Sequence, residues 1–318
     1  MPRATGIAVL LIAAAMPHAS GHEPVVIAGP AMGTTYRVML ADPLPRLSRG
    51  EVHREIEAVL ARIDAAASTW RGDSDVSRFN PSPVGVWIPI ADDLAAIVKI
   101  ARSVHEQTEG RFDITIAPLI DLWSQAHASG REPTDEAITA AMANVGMQHL
   151  EVRRNGSGAA ALCKQRAGLA LNLGGIGPGY AVDCVGKRLQ ALGSAGHLVV
   201  LGGEARAWGT RADGSPWEVL FPAVASTSPP DGSQLRSAKK QSMALTATTL
   251  PLAPGEAVAF STPRPGLSPI DPRTGRPAVI PPRPTMARST TCAVADALAV
   301  ATAIARAENG QSQNTPPP

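Results

Sequence analysis

The order of elements in the sequence, strand pairs interleaved with amphipathic helices and not strict strand–helix alternation, places the chain in the α+β class. Two further observations agree. Hydrophobic residues make up 44% of 318 positions, enough to bury a substantial core. Aromatics are only 3% while Gly and Pro number 29 each, so that core is built from aliphatic residues and the elements are joined by Gly- and Pro-punctuated loops.

The first strand pair is Val25-Val26-Ile27 leading through Gly29 to Gly33 into Thr34–Leu40, whose β-branched residues and alternation predict a hairpin. From Glu51 to Ala67 the apolar positions Val52, Ile56, Val59, Leu60 and Ile63 recur at helical spacing, giving a helix that buries one face and ends near Ser68-Thr69-Trp70. A second helix is predicted over Asp92–Gln107 on Leu94, Ile97, Val98, Ile100 and Ala101, stopping before Gly110. Gly110 to Leu119 reads as a short apolar strand closed by Pro118. Leu169–Leu173 reads as a strand running into a glycine cluster, and a third helix follows on Val182, Val185, Leu189 and Leu192. Leu198–Leu201 is strand-like and meets Gly202-Gly203, and Ala295–Ala301 lies in a helix of small residues. Pro222 to Gln241 and Pro281 to Pro284 read as surface loops, and no solenoid-type repeat is present.

At the N-terminus, Arg3, the apolar run Ile7–Met16 and the small residues Ala19-Ser20-Gly21 read as a cleaved secretory signal over residues 1–21. The run is about half of the ~20 residues a spanning helix needs, so a stable membrane span is not expected. No cysteine lies near the cleavage site, the first being Cys163, which excludes anchoring through a lipidated N-terminal cysteine. Residues 22–307 are expected to form one domain and 308–318 a disordered tail. Cys163, Cys184 and Cys292 show no metal or disulfide spacing and read as small buried hydrophobes. A net charge of +2 without a basic block leaves too little positive footprint for nucleic acid.

Three stretches carry candidate chemistry. Leu171 to Tyr180 joins a strand to a helix through four glycines and presents backbone N–H groups to an anion such as a pyrophosphate, or forms only a tight turn. Its G-x-G-x-G spacing is not the dinucleotide fingerprint. Asp113, in Phe112-Asp113-Ile114-Thr115, reads as a hydrogen-bond acceptor for a ligand or as a local turn acceptor. Asp296, if buried, requires a partner or a metal. None of the seven histidines sits in a recognisable nucleophile context.

Taken in order, Ala31–Tyr36, Ser68-Thr69-Trp70 with Asp73–Asn80, Phe112–Thr115 through Trp123, Gly174–Asp183, Leu201–Ala207, Ile270–Gly275 and Ala295–Ala299 resemble the ApbE flavin transferases over about Gly29 to Ala307. The resemblance implies an α+β, periplasmic, magnesium-dependent FAD:protein FMN transferase. Such an enzyme splits FAD at its pyrophosphate, releases AMP and attaches FMN to a threonine of a partner redox protein. By similarity, Met32, Phe112, Asp113, Ile114, Asn172, Gly175, Gly177, Pro178, Glu204 and Ile270 bind the flavin nucleotide, and Asp296 with the Gly175 carbonyl holds Mg²⁺. The chain also departs from the family pattern, at Asn172 and Pro178 among these positions and at three further places. Asn172 replaces an Asp, Pro178 a Lys, Val300 a metal-binding Thr and Ser268 a His, and Leu245–Leu250 replaces a Thr-Ser-Gly-Asp block. No catalytic base is assigned. The chain is therefore expected to be an FMN transferase, with a non-catalytic FAD carrier or assembly factor and an FAD pyrophosphate hydrolase as the alternatives.

Overall fold

The computed structural model describes residues 12–13, 23–154, 156, 158–222, 247–261, 268–279 and 284–312. The expected leader, apart from Ile12–Ala13, most of the Pro222–Gln241 loop, and residues 281–283 and 313–318 lie outside the described residues. In chain order the elements begin with β1 (Ile12–Ala13), β2 (Val25–Ala31), β3 (Thr34–Leu40), α1 (Arg49–Ala67), α2 (Asp75–Phe79), β4 (Ile88–Ile90) and α3 (Asp92–Gln107). There follow α4 (Ala117–Ser129), α5 (Asp135–Met142), β5 (Leu150–Arg154), β6 (Ala160–Lys164), α6 (Gly177–Ala191), β7 (His197–Leu201) and β8 (Glu204–Trp208). The chain closes with β9 (Trp217–Pro222), β10 (Ala247–Leu252), β11 (Ala257–Ser261), β12 (Thr285–Ser289) and α7 (Cys292–Ser312). The α+β class holds.

The centre is a six-stranded antiparallel sheet in the order β12-β11-β8-β7-β3-β2. Alternate residues of each strand leave by opposite faces, and both faces are covered. Tyr36, Val38, Leu40, Val199, Leu201, Ala257 and Ala259 pack with the helices, whereas Met39, Leu198, Val200, Ala205, Ala207 and Val258 pack with Trp217, Val219 and Leu252 of the β9–β10 pair. This double burial explains why His197–Leu201 is almost wholly apolar instead of alternating. A third sheet, β4-β6-β5, lies apart from it in the pairing.

Local signals set the helix ends. Ser48 opens α1 with a reciprocal cap, its hydroxyl accepting from Glu51 N (3.3 Å) while Glu51 Oε2 accepts from Ser48 N (2.8 Å). Ala91 offers α3 no side-chain cap, and Asp75 Oδ2 accepts Ala91 N (2.6 Å) beside that first turn. The first residues of α7 are capped from another helix: Asp183 of α6 accepts from Cys292 N (2.9 Å) and Ala293 N (3.0 Å) and pairs with Arg206 (2.6 Å).

Three expectations are corrected. Gly110 to Leu119 is not a strand, because Asp113 Oδ1 accepts from Thr115 N (2.7 Å), closing a turn, and Pro118 then stands in the first turn of α4, where its missing N–H costs nothing. Leu169, Leu171 and Leu173 are buried, but the segment builds no ladder beyond one bridge, Ala170 to Ile116, and Asn80, Ile114 and Lys164 are among the partners of its other polar groups. The helix α7 runs to Ser312, past the expected boundary at 307, because Glu308 finds ion-pair partners on two other segments. The cysteines are free, with Cys163 and Cys292 buried and Cys184 half-buried.

Buried His197 stacks on Trp208 with ring centroids 4.9 Å apart, and its Nδ1 lies 3.0 Å from Ser194 Oγ. Burial, with the nearby Arg206 charge adding to it, pushes its pKa down to about 4. The unfolded chain then binds a proton that the native state refuses, so the native state holds its full advantage above about pH 6.5 and loses it as pH falls toward 4. From pH 7 to pH 5 this one residue is expected to cost about 2 kcal/mol. Urea unfolding of wild type and His197→Phe at both pH values checks it: the variant should show a shallower decline by that amount.

Candidate active site

The β2–β3 hairpin turns at Met32 (φ 48°) and Gly33 (φ 76°), a two-residue turn of the primed type that suits the twist of the strands but holds Met32 in a left-handed conformation rare for its type. Because Tyr36 pairs with Leu201 and Gly202 N donates to Thr35 O (3.1 Å), the β7–β8 turn at Gly202-Gly203 comes to the same end of the sheet. Phe260 N donating to Gly203 O (3.2 Å) brings the end of β11 there as well.

Beside this end opens a cleft of about 730 Å³. One wall is Asn172, Gly174 and Gly175, just before the N-terminus of α6; another is Asp296 and Val300 of α7; Arg111, Phe112 and Asp113 form a third. Glu204, Phe260 and Ser261 close the sheet end, and Ser268, Pro269 and Ile270 form part of the rim. The structure thus gathers Phe112, Asp113, Asn172, Gly175, Glu204, Ile270 and Asp296 from across the chain into one cleft, together with the departures Val300 and Ser268. Met32, Ile114, Gly177 and Pro178 do not line it. Ile114 is core, Pro178 occupies the first turn of α6, and the Met32 methyl packs on Gly177, 3.9 Å from where a Cβ would sit.

Asp113 acts as a turn acceptor. Oδ1 takes the Thr115 hydroxyl (2.6 Å) as well as its N–H, and Oδ2 takes Met147 N (3.2 Å) with His105 Nδ1 3.4 Å away. Asn172 Oδ1 accepts from Gly174 N (2.9 Å), tightening the entry to the glycine turn. Glu204 Oε2 accepts from Gly203 N (3.1 Å) at the hairpin tip. Asp296 is buried; Oδ2 accepts from Gly179 N (3.1 Å), and burial pushes its pKa up to about 7. The α6 start therefore already donates one free N–H to a carboxylate.

Two kinds of residue escaped the sequence reading. Ile116, Ile120, Trp123, Ser124 and His127 line the cleft from one side of α4, and their i, i+4 spacing was the available signal. The glycine that the packing demands is Gly179, where a Cβ would fall against the Cys292 carbonyl and 2.9 Å from Ala293 Cα; at Gly177 a Cβ meets only ordinary contacts. The Leu245–Leu250 stretch, as far as it is described, belongs to β10 paired with β9 and contributes nothing to the cleft. Among the described residues no three His, Cys, Asp or Glu side chains converge as a metal cluster, and no helix is long and apolar enough to cross a membrane.

The profile described as the ApbE family matches residues 32–314. The chain is 33% identical over 201 residues to the FAD:protein FMN transferase of Haemophilus influenzae and 34% identical over 201 residues to that of Salmonella typhimurium. Each match takes in 62% of this chain, and the chain spans 58% and 56% of the length of these relatives. The fold is similar to the Pseudomonas stutzeri flavinyl transferase ApbE in its apo form (TM-score 0.72, 31% identity, 89% of this chain and 84% of the other). It is also similar to the Vibrio cholerae flavin transferase ApbE (TM-score 0.71, 28% identity, 92% and 91%).

Proposed function

This chain belongs to the ApbE family, and from that premise we propose that it is a magnesium-dependent FAD:protein FMN transferase whose acceptor is a threonine hydroxyl of a partner redox protein. The observation that carries the reading is the convergence of the glycine turn, Asp296 and Glu204 on one cleft from positions more than ninety residues apart in places. In the reaction the threonine oxygen bonds to the FMN phosphorus, the bond to the AMP oxygen breaks, AMP leaves with the electron pair, and the hydroxyl proton passes to solvent water. Export to the periplasm belongs to the same proposal and rests on the apolar Ile7–Met16 run.

The donor set fits Mg²⁺, which keeps several waters and takes one or two carboxylates with substrate phosphates. Asp296 is a buried carboxylate whose proton affinity is raised by burial, the kind of group a nearby dication keeps ionised. With the Gly175 carbonyl it would hold the ion, and the ion would supply charge neutralisation on the pyrophosphate oxygens. The chain's own work is positioning. Gly174 and Gly175 keep the wall beside Phe112 free of side chains, since a Cβ on Gly175 would lie 3.0 Å from Val300 Cγ2 and 3.4 Å from Phe112 Cε2. Trp123 donates to Gly275 O (2.8 Å), fixing the rim loop against α4.

Val300 lines the cleft one helical turn after Asp296 and offers no oxygen. Val300→Thr is expected to tighten Mg²⁺ binding about three- to tenfold by replacing a water ligand; equal affinities by calorimetry would remove the ion from this position. Incubation with FAD, Mg²⁺ and an acceptor domain containing a threonine, followed by in-gel flavin fluorescence, tests the reading as a whole. A fluorescent acceptor is expected. The presence of Val300, Ser268 and Asn172 in this one cleft favours a second reading, a flavin binder without turnover, which saturable FAD binding with neither labelling nor AMP release would establish. AMP release without labelling would indicate hydrolysis.

A further inference from the structure

We propose that Glu308, near the end of α7, is a positioning residue that locks three walls of the cleft together; the proposal rests on the reading of that cleft as the FAD site. Glu308 Oε2 accepts from Arg111 Nε (3.1 Å) and lies 3.1 Å from Arg111 Nη2, while Oε1 pairs with Arg273. Each arginine is gripped on its far side as well. Arg111 donates to Glu109 (3.0 Å) and to Thr108 O (3.2 Å), and Arg273 holds buried Asp271 through Nε (3.0 Å) and Nη2 (2.7 Å). The result is an alternating chain, Glu109, Arg111, Glu308, Arg273, Asp271, in which Glu308 is the link shared by both cations.

What this chain ties is specific. Arg111 follows a turn held left-handed at Glu109 (φ 53°) and Gly110 (φ 79°), and it enters the wall made with Phe112 and Asp113. Arg273 lies in the rim loop of Ser268 and Ile270, whose inner turn is held by Asp271 O accepting from Gly275 N (2.8 Å). Glu308 rides on the helix that carries Asp296 and Val300. No main-chain hydrogen bond among the described residues joins the turn or the rim loop to α7. Isolated exposed ion pairs contribute little, but a charge network anchored on buried Asp271, which Arg273 grips through both Nε and Nη2, holds geometry. Both arginines are driven further toward the charged state by these partners, Arg111 first by Glu109 and Arg273 first by Asp271.

Glu308→Gln keeps the shape and removes the charge. It is expected to raise the FAD Kd, and the KM for FAD, about tenfold while kcat stays within about twofold, because misplaced walls cost binding before chemistry. Glu308→Asp should recover part of the loss, and Arg273→Met combined with Glu308→Gln should be no worse than the worse single variant. Amide hydrogen exchange is expected to rise in 268–278 and 108–113 while β3 and β7 stay protected. Unchanged Kd in Glu308→Gln, or exchange rising uniformly over the chain, would overturn the proposal. A wild-type protein that binds no FAD would instead defeat the assignment of the cleft, and the exchange comparison would then decide the lock by itself.

Discussion

Asp296→Asn is expected to lower FMN transfer by about 10²–10³-fold, the largest loss any single substitution in this cleft should produce. The amide oxygen can still accept from Gly179 N, which Asp296 Oδ2 now does at 3.1 Å, so the helix contact survives. What disappears is the negative charge. Burial makes that charge costly, as the pKa pushed up to about 7 shows, and its removal should leave the unfolding midpoint equal or higher. The measurement is acceptor labelling at saturating FAD, with Mg²⁺ binding by calorimetry alongside. Labelling within threefold of wild type would place the metal elsewhere.

Gly179→Ala should destabilise the fold by about 3–5 kcal/mol, whereas Gly177→Ala should change stability by less than about 1 kcal/mol. At Gly179 the new methyl would press on the main chain of Cys292 and Ala293, and neither can rotate away. At Gly177 the nearest atoms are Leu173 Cβ at 3.8 Å and the end of Met32 at 3.9 Å. Thermal or urea unfolding of the two variants separates the positions directly. Equal midpoints would mean that α6 and α7 can part at this end without cost.

The elements legible in the sequence were those with one wet face or a turn of special backbone shape. Val52, Ile56, Val59, Leu60 and Ile63 marked α1, and Gly33 marked a hairpin turn, while at Gly202-Gly203 only a glycine pair closing a strand was legible. Where an apolar run is buried without a ladder, period alone misleads. Leu169, Leu171 and Leu173 have the alternation of a strand, yet Leu171 N donates to the Asn80 side chain, a partner 91 residues away that no local pattern announces. At Asp113 a two-residue side-chain turn overrides the β-branched propensity of Ile114, Thr115 and Ile116. The cleft was legible only through the order of its motifs. Spacing placed Glu204 and Asp296 in separate elements and said nothing of their meeting, which the β8–β11 pairing and the packing of α7 bring about. Arg111 was read only as part of a short apolar strand, and its partner Glu308 lay beyond the expected end of the domain.

The position of β3 bears on how such a chain reaches this structure. On one side it pairs with β2 next to it in sequence, but on the other it pairs with β7, Val38 opposite Val199, across some 160 intervening residues. Before His197–Leu201 has left the ribosome or any other exit, β3 can be only half of a hairpin with a bare hydrogen-bonding edge, carrying side chains that end almost fully buried, such as Val38 and Leu40. Closing so long a loop is slow, and the waiting species is sticky. Nascent chains cut short before residue 197 should therefore bind holdase chaperones and aggregate, while chains extended past Leu201 should first acquire protease resistance in the β2–β3 segment.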